Sequence, residues 1–527
     1  MKLTTHQLSL DYLKDVMSDS VDNSTLYEIT ISEHIEADLY PRSVQALSQG
    51  FVFMTRSGVE KHLWVFLPES ERSLLDSFIG ETVPAAAEDG YVLKQCPLSH
   101  QNANAIRDVF SWASPELVGV RNSYGLGDRL GVANPAHLRQ IRHTNLKPVL
   151  AQQSIREMER TERTPDEVMD TATWAALQEG YTEGFGADAD HLKTPEHIDY
   201  TIASGFTMFT FDPGDHVVNE ADDLELAELE DRVTSLPWDQ LDDSKEQCIS
   251  RYTGNRIEIT EDLVLTPDRE DTLRALTKYG KVIAHVKKMY RHLTKNYPDH
   301  PREIELSVDE TESVTQPFEH YLVVSELQRL GVELVSLAPR FVGGFEKGID
   351  YKGDLDEFRQ EYMKHLKIAE KLGPYKLSVH SGSDKFSVYK TVGQLDEGYV
   401  HIKTAGTSYL EALRAIAKVE PDLFREILDF SRDLYESEKR SYHVSAEVEK
   451  VPKGEDCSDE ELVELFNDDQ VDARQVMHVC FGQVLTDKDE NGEYLFRNRI
   501  LRTLEENEAV HYETLQAHFQ RHFDPIS

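Results

Sequence analysis

Eight short apolar runs, rich in Val, Leu, Ile and Phe, recur through the chain, and most are followed by a stretch with helical spacing. Each run ends in polar or glycine-containing residues. The runs span 117–131, 147–154, 184–194, 206–216, 303–311, 332–341, 376–386 and 399–409. This alternation is typical of parallel βα units, and eight such units close naturally into a (β/α)₈ barrel, the TIM barrel of α/β proteins. A doubly wound open sheet is the alternative, because the number of strands alone does not prove closure.

Five stretches between these runs carry apolar residues at three- and four-residue spacing, the pattern of helices that cover a sheet. They span 155–179, 194–204, 270–293, 316–331 and 356–373. In the last of them, Phe358, Tyr362, Leu366 and Ala369 recur on one face. We therefore expect the barrel to occupy residues 111–420.

The segments outside the repeat have different patterns. Residues 1–110 include FVFMTRSG and HLWVFLPES, which alternate like a hairpin, and we expect an N-terminal mixed α/β extension there. Residues 421–527 have mostly helical spacing and are predicted to form an appended helical region. Residues 217–250 are an acidic insertion after the fourth strand, which we interpret as a solvated flap.

The net charge of −40 at pH 7 argues against nucleic acid and anionic membranes as partners, because both are bound through clustered Lys and Arg. No apolar run approaches the roughly 20 residues that span a bilayer, and the N-terminal segment lacks the layout of a signal peptide. We predict a cytoplasmic protein. The four cysteines are far apart without a CxxC pair, which supports neither a disulfide framework nor a cysteine zinc site.

The C-terminal ends of barrel strands converge on one mouth, where active sites are built in this fold. The segment GFGADADHLKT at the third strand places Asp188, Asp190 and His191 there. The other strand ends contribute Asp128, Arg129, Gln152, Gln153, Asp212, Asp215, His216, Asp309, Glu310, Glu312, Arg340, His380, Ser381, Ser383, Asp384, Lys403 and Thr404. The mouth is therefore predicted to be densely polar and mixed in charge.

Imidazoles beside carboxylates on separate strands, without a thiolate, are a ligand set for a divalent ion such as Zn²⁺, Mn²⁺, Co²⁺ or Ni²⁺. His191 and His380 are the preferred ligands, and His216 is a third candidate whose DPGDH segment equally suits a turn. A purely structural, hydrogen-bonded role is the alternative for each histidine. Because Asp190 and His191 are adjacent, both reach the mouth only if the strand has ended before the Thr-Pro that follows.

The remaining motifs give weaker signals. GLGDRLG departs from the G-x-G-x-x-G spacing of a dinucleotide site, and a tight βα turn explains it. The sequence contains no Walker loop, no G-x-S-x-G elbow and no HExxH. SVHSGSDKFSVYK offers glycine and serine amides with Lys385, which suit a carboxylate or phosphate as well as an ordinary turn.

In chain order, the strand-end segments include YGLGDRLG, GADADHLKT, FTFDPGDHV, SVDET, SLAPRFVGGFEKG, SVHSGSDKF and HIKTAGTSY. This series resembles the tagaturonate epimerase family of bacterial hexuronate catabolism over nearly the whole chain. The resemblance implies a metal-dependent barrel enzyme, an isomerase, that interconverts D-tagaturonate and D-fructuronate. Activity on other ketouronates or on ketohexoses stays open.

These two ketouronates differ at the carbinol β to the ketone, whose C–H bond is not acidified by that carbonyl, so simple enolisation cannot invert it. Oxidation at that carbon would need a nicotinamide, for which the sequence has no convincing site. Retro-aldol cleavage is the other route: the C–C bond opens to an aldehyde and an enediolate, the aldehyde rotates, and the bond re-forms. A divalent ion would stabilise the enediolate as a Lewis acid.

The residues are assigned to this scheme as follows. His191 and His380 hold the metal. Asp190 is the general base and Glu310 the general acid, and the two roles exchange in the reverse direction. A salt bridge or a supporting hydrogen bond is the alternative role for either carboxylate.

Two further roles have several candidates. Glu312 or Asp212 would complete the metal ligands, and Arg340, Lys403 or Lys385 would hold the substrate carboxylate, an Arg through a bidentate fork. A metal-dependent aldolase or ketose isomerase is the alternative enzyme, and a barrel that only binds sugar acids is the non-catalytic alternative. The identity of the metal and the formation of a homo-oligomer are left open.

Overall fold

The computed structural model describes residues 6–18, 25–32, 34–83, 89–380, 384–395, 397–442 and 444–527. At its centre, eight parallel strands form a closed barrel in chain order. The strands are Ser123–Leu126, Lys147–Ser154, Gly186–Leu192, Met208–Phe211, Glu303–Ser307, Ser336–Ala338, Lys376–His380 and Val400–Thr404. Lys403 of the eighth strand pairs with Gly125 of the first, which excludes the open sheet. The predicted (β/α)₈ barrel is confirmed, and every strand lies within one of the eight apolar runs.

Helices surround the barrel between its strands. They are Asn134–Ile141, Ile155–Thr161, Pro165–Gln178, Pro195–Ile202, Arg269–Asn296, Pro317–Arg329, Leu355–Leu372, Phe386–Gly393 and Thr407–Val419. The prediction of a single helix over 155–179 is wrong, because Glu162 adopts a left-handed conformation with φ of 50° and ends the first helix. Thr164 then caps a new helix, accepting from the Glu167 amide, and Pro165 occupies its first turn.

The acidic insertion is folded, contrary to the expectation of a solvated flap. It contains the helices Leu226–Thr234 and Lys245–Tyr252, and the first of these packs against the long Arg269–Asn296 helix. Leu229, Val233 and Leu241 are buried in the main core, while the acidic side chains between them face outwards. The apolar residues on one side of the insertion therefore decide its structure, and its charge only decides which side faces water.

The N-terminal region forms a mixed sheet with seven strands among the described residues. In sheet order the strands are His6–Gln7, Tyr27–Ser32, Ile35–Leu47, Gly50–Ser57, Glu60–Pro68, Tyr91–Cys96 and Glu81–Val83. The predicted hairpin is present, with Phe51 opposite Phe66 in antiparallel register. The helices of this region are Leu10–Ser18, Arg72–Ser77 and His100–Val109.

The C-terminal region is helical, as expected. Its helices are Pro421–Glu438, Asp459–Glu464, Val471–Val479, Phe481–Thr486, Arg497–Glu506 and Glu508–Phe523. The last helix packs against two barrel helices, Asn134–Ile141 and Thr407–Val419. The C-terminal region is thereby fixed against the side of the barrel. Across the described ranges, no helix has the length and apolar character needed to cross a bilayer.

Candidate active site at the barrel mouth

Two histidines and one aspartate meet at the C-terminal ends of the strands. His191 comes from the third strand, His380 from the seventh, and Asp309 from the loop after the fifth. One ligand atom of each lies within 4.8 Å of the others. The two imidazole rings are 5.4 Å apart, centroid to centroid. We call these three residues the mouth cluster, and it contains both histidines that the sequence analysis preferred as metal ligands.

The backbone at His191 explains how two adjacent residues serve the same site. The third strand shifts register against the fourth between Ala189 and Leu192, and His191 has a φ of 52°. A left-handed conformation at a non-glycine residue costs of order 1–3 kcal/mol, and such residues are enriched at active sites. The irregularity turns the His191 ring towards His380 while the neighbouring Asp190 carboxylate reaches the buried Lys403. The sequence analysis required the strand to have ended at this point, but it continues to Leu192, and the irregularity within it separates the two side chains.

Carboxylates surround both imidazoles. His191 Nδ1 lies 3.3 Å from Asp212 Oδ2, and His380 contacts Glu305 through Nε2 at 2.7 Å and Asp309 through Nδ1 at 3.1 Å. Burial lowers the pKa of His191, but Asp190 and Asp212 outweigh it and raise that pKa to about 10. Burial likewise opposes protonation of His380, yet Asp309 and Glu305 raise its pKa to about 9. The acids therefore make this a site that attracts positive charge.

Lys403 lies in the barrel interior directly beneath the cluster. Its ammonium is 2.6 Å from Asp188, 2.8 Å from Asp190 and 2.7 Å from Glu305. Burial raises the pKa of Asp188 to about 6, assisted by its acidic neighbours and opposed by Lys403. Burial also opposes ionisation of Asp190, but His191 and Lys403 hold the pKa of that carboxyl well below its usual range. Asp190 is therefore ionised at neutral pH.

The cluster borders a cavity of about 460 Å³. The cavity is lined by Asp309, Glu310, Thr311, Glu312, Pro339, Arg340, Phe341, Gly344, Phe345, Glu346, Lys347, Val379, His380 and Tyr442. Glu310 projects into this space with 39% of its side chain exposed, 3.6 Å from Arg156 and 3.7 Å from Lys347. Burial alone would raise the pKa of Glu310, but Lys347 and His191 outweigh it and lower that pKa. The cavity therefore has an ionised carboxylate next to the mouth cluster.

The residues present fit a divalent cation. Two imidazole nitrogens and a carboxylate oxygen within 4.8 Å are the ligand types that Zn²⁺, Mn²⁺, Co²⁺ and Ni²⁺ share. Among the described residues, the Lys403 ammonium pairs with three of the carboxylates at or next to the cluster, and when the histidines are neutral the negative charge of all five exceeds that one positive charge. These five carboxylates are Asp188, Asp190, Asp212, Glu305 and Asp309. A bound cation would compensate that excess.

The other candidates for completing the ligand set lie further out. Asp212 contacts His191 and accepts from the Gly214 amide, so it orients the imidazole. Glu312 lies on the exposed rim of the cavity. The ring of His216 packs at a tilt against His285, with the ring centroids 4.1 Å apart, outside the mouth cluster, and its neighbour Asp215 pairs with Lys193.

Several predicted mouth residues instead support the fold. Asp128 accepts four backbone amides, including those of Gly131 and Ala133, at the start of a helix. Arg129 pairs with Glu157 at 2.8 Å. The remaining supporting contacts are Gln153 with Arg163, and Thr404 with the carbonyl of Gly125. Gln152 is buried in the barrel, Lys385 binds backbone carbonyls, and Ser381 and Ser383 lie outside the described residues.

Asp384 belongs to a second cluster, formed with the C-terminal helices. His518 Nε2 and His522 Nε2 lie 2.9 and 2.8 Å from the same Asp384 oxygen, and Arg474 pairs with the other oxygen. All four side chains are almost completely buried. We call Asp384, His518, His522 and Arg474 the C-terminal cluster.

Sequence reasoning missed four residues of the site: Lys347, Arg156, Tyr442 and Glu305. Lys347 was within the quoted SLAPRFVGGFEKG segment, but only its fold shows that this loop returns to the cavity. Glu305 had a visible signal, because acids alternate with apolar residues in EIELS and so share one face of the strand. Tyr442 comes from the C-terminal region, whose docking on the barrel no local pattern indicates.

Comparison with known proteins identifies the family of this chain. A sequence model of the family described as UxaE, tagaturonate epimerase, matches residues 40–526. The chain belongs to the tagaturonate epimerase family. Within this family, the tagaturonate/fructuronate epimerase of Thermotoga maritima is 42% identical over 484 residues, which cover 90% of this chain and 97% of that protein.

Solved structures of the tagaturonate epimerase family agree with the architecture. The crystal structure of the fructuronate-tagaturonate epimerase UxaE from Cohnella laeviribosi with one glycerol superposes with a TM-score of 0.86 at 36% identity. The match covers 93% of this chain and 96% of that one. The native crystal structure of the same enzyme gives a TM-score of 0.84 with the same identity and coverage. The resemblance read from the strand-end motifs is confirmed, and the protein is an epimerase, an enzyme of the isomerase class.

Proposed function

We propose that the protein interconverts D-tagaturonate and D-fructuronate and that the reaction depends on a divalent metal ion. The substrates are supported by the family and by the name of the Thermotoga maritima relative. The observation that carries the metal dependence is the meeting of His191, His380 and Asp309 at the edge of a cavity. Such an activity belongs to hexuronate catabolism, as the sequence resemblance implies, and we propose that it takes place in the cytoplasm.

His191, His380 and Asp309 would hold the ion. When bound, a divalent ion supplies Lewis-acid stabilisation of the negative charge that develops on a ketone oxygen. Asp212 and Glu305 would fix the two imidazole rings through the nitrogens they contact. Metal analysis identifies the ion, because this set of ligand types accepts several.

Glu310 and Asp190 are the proposed proton carriers. Glu310 faces the cavity and is held ionised by Lys347, so it accepts the hydroxyl proton of one epimer. Asp190 is held ionised by His191 and Lys403 and acts for the other epimer. Each carboxylate therefore acts as the base in one direction and, once protonated, as the acid in the other.

The chemistry follows from the position of the inverted carbon. Because it bears a hydroxyl β to the ketone, loss of that hydroxyl proton allows the bond between the α and β carbons to break. The products are an aldehyde and an enediolate. The aldehyde turns its other face to the enediolate and the same C–C bond re-forms. The new alkoxide is protonated through the second carboxylate, which takes up a proton from solvent while the first carboxylate returns to solvent the proton that it accepted. No atom is gained or lost, and no oxidant is needed.

Incubation with D-tagaturonate, followed by NMR, tests the proposal. We expect D-fructuronate to appear, to stop appearing after treatment with a chelator, and to return when Mn²⁺, Zn²⁺, Co²⁺ or Ni²⁺ is added. Accumulation of shorter aldehyde and keto products would instead identify an aldolase, and a moved carbonyl would identify a ketose isomerase. Unchanged tagaturonate in every metal-loaded sample would contradict the proposed function and leave a binding protein.

A further inference from the structure

Two of the three candidates for holding the substrate carboxylate are already fully engaged. The Lys403 ammonium is buried among Asp188, Asp190 and Glu305. Lys385 is completely buried and donates to the carbonyls of Glu346 and Ile349. Burial lowers the pKa of the Lys385 ammonium to about 7. Neither cation lines the cavity, and the contacts of both are already made within the protein.

Arg340 is in a different situation. It lines the cavity at the end of the sixth strand, and its backbone is fixed by two hydrogen bonds with Thr315, at 3.0 and 2.9 Å. Within the part of the chain that the structure describes, its guanidinium makes no ion pair and no hydrogen bond. In a protein with 96 acidic and 56 basic residues, a half-buried arginine without an acidic partner is unexpected. Its donors are free to meet an anion in the cavity.

Lys347 adds a second positive charge from the same loop. Its ammonium lies 3.7 Å from Glu310, beyond hydrogen-bonding distance, and it also lines the cavity. The cavity carboxylate Glu346 is occupied by other groups, because it binds Lys352 at 2.9 Å and Ser445 at 2.6 Å. The loop after the sixth strand therefore presents two cations to the cavity, while Asp309 and His380 form the mouth-cluster side of the same space.

We infer that Arg340, assisted by Lys347, binds the carboxylate of the substrate and thereby selects sugar acids over neutral sugars. The inference rests on the proposed function, because it assigns one part of the same site. In a ketouronate the ketone and the carboxylate lie near opposite ends of the carbon chain. A ketone at the mouth cluster thus places the carboxylate away from it, and the planar guanidinium matches a carboxylate with two parallel hydrogen bonds.

The test replaces Arg340 by Met, which keeps an unbranched side chain and removes the charge. We expect kcat/KM for D-tagaturonate to fall about a hundredfold, the loss typical of a hydrogen-bonded charged contact. Inhibition by D-gluconate should weaken by a similar factor, while inhibition by sorbitol, its neutral counterpart, should not change. Arg359→Met, on the exposed side of the Leu355–Leu372 helix, is the matched control and should behave like the wild type.

Two further variants keep the inference testable. Arg340→Lys retains the charge but not the fork and should fall between the wild type and Arg340→Met, and Lys347→Met should lose less than Arg340→Met. Melting temperature and metal content, measured for each variant, identify any that misfolds. A wild-type rate in Arg340→Met, or equal inhibition of the wild type by gluconate and sorbitol, would overturn the inference. An inactive wild type would instead overturn the proposed function.

Discussion

The mouth cluster and the C-terminal cluster contain the same donor types, yet their surroundings differ. Each brings two imidazoles and one carboxylate within 4.8 Å. In the mouth cluster, His191 retains 17% of its side-chain exposure and His380 borders a cavity. In the C-terminal cluster, His518 and His522 are 1% and 0% exposed. Only the mouth cluster has access to a substrate.

Charge separates the two clusters further. Acids outnumber cations around the mouth cluster and raise the pKa of both of its histidines. In the C-terminal cluster, Arg474 already pairs with Asp384, and burial lowers the pKa of His518 to about 4. A count of potential ligands therefore does not identify a metal site. Uncompensated negative charge and an open path distinguish the cluster that can take an ion from the one that joins helices.

The largest expected effect is the loss of metal from the mouth cluster. His380→Ala and His191→Ala should each abolish stoichiometric metal binding and lower kcat/KM by at least about a thousandfold, since changes to residues that only orient the ligands already cost about 10- to 100-fold. Metal content by plasma mass spectrometry and the tagaturonate assay measure the two effects. The matched control is His522→Gln in the C-terminal cluster, which should keep the metal. Full metal content in both histidine variants would show that the mouth cluster is not the metal site.

A second change separates metal binding from proton transfer. Glu310→Gln and Asp190→Asn should keep the metal and lower kcat by about 10²- to 10⁴-fold, the usual contribution of a positioned acid or base. Glu411→Gln, on the Thr407–Val419 helix beside His518, is the control and should keep its turnover. If Glu310→Gln keeps the wild-type kcat, Glu310 is a charge partner of Lys347 and Arg156 and nothing more.

The sequence predicted the mouth cluster better than the C-terminal cluster for a physical reason. The parallel strands of a barrel bring their C-terminal ends together whatever residues lie on its surface. The sequence could therefore place His191 and His380 at one site, although they are about two hundred positions apart. Asp384 lies just after the seventh strand, so the same reasoning placed it at the mouth. Its partners Arg474 and His518 come from helices whose docking depends on side-chain packing with the barrel, which no local period encodes.

Local chemistry accounts for the two fold errors. The break between Ile155–Thr161 and Pro165–Gln178 had a visible signal, because Thr164, Pro165 and Glu167 form a capping box with proline in the first turn. The acidic insertion was misread because its charge was weighed above the spacing of Leu229 and Val233, which is helical and apolar. In both cases helix spacing and capping carried more structural information than composition.

Replacement of Arg474 tests directly whether charge compensation distinguishes the two clusters. Arg474→Met leaves Asp384 buried without its cation, so the free energy of unfolding should fall by about 3–5 kcal/mol. Because the negative charge of Asp384 is then uncompensated, the cluster should also bind Zn²⁺. In a His380→Ala background, which has no mouth metal, the added Arg474→Met change should therefore create one bound Zn²⁺ per chain. Absence of zinc from that double variant would mean that charge compensation is not what excludes metal here.

The smallest expected effect is a dependence of stability on pH that arises in the C-terminal cluster. Burial, opposed by Glu411, holds the folded pKa of His518 near 4, whereas an unfolded histidine has a pKa near 6.5. Between these values the unfolded chain binds more protons, so the free energy of unfolding falls as the pH is lowered from 6.5 to 4. His518 should account for about 3 kcal/mol of this decrease in the free energy of unfolding.

His518→Gln measures that share. Urea unfolding at several pH values between 6.5 and 4 should show a smaller decline for the variant than for the wild type. A decline should persist in the variant, because other buried histidines also have lowered pKa values; these are His137, His320, His365, His401, His478, His511 and His522. Equal declines in variant and wild type would show that Asp384 and Glu411 keep His518 protonated. Histidine protonation would then no longer distinguish the two clusters, and the contrast would rest on access and on the pairing of Arg474 with Asp384.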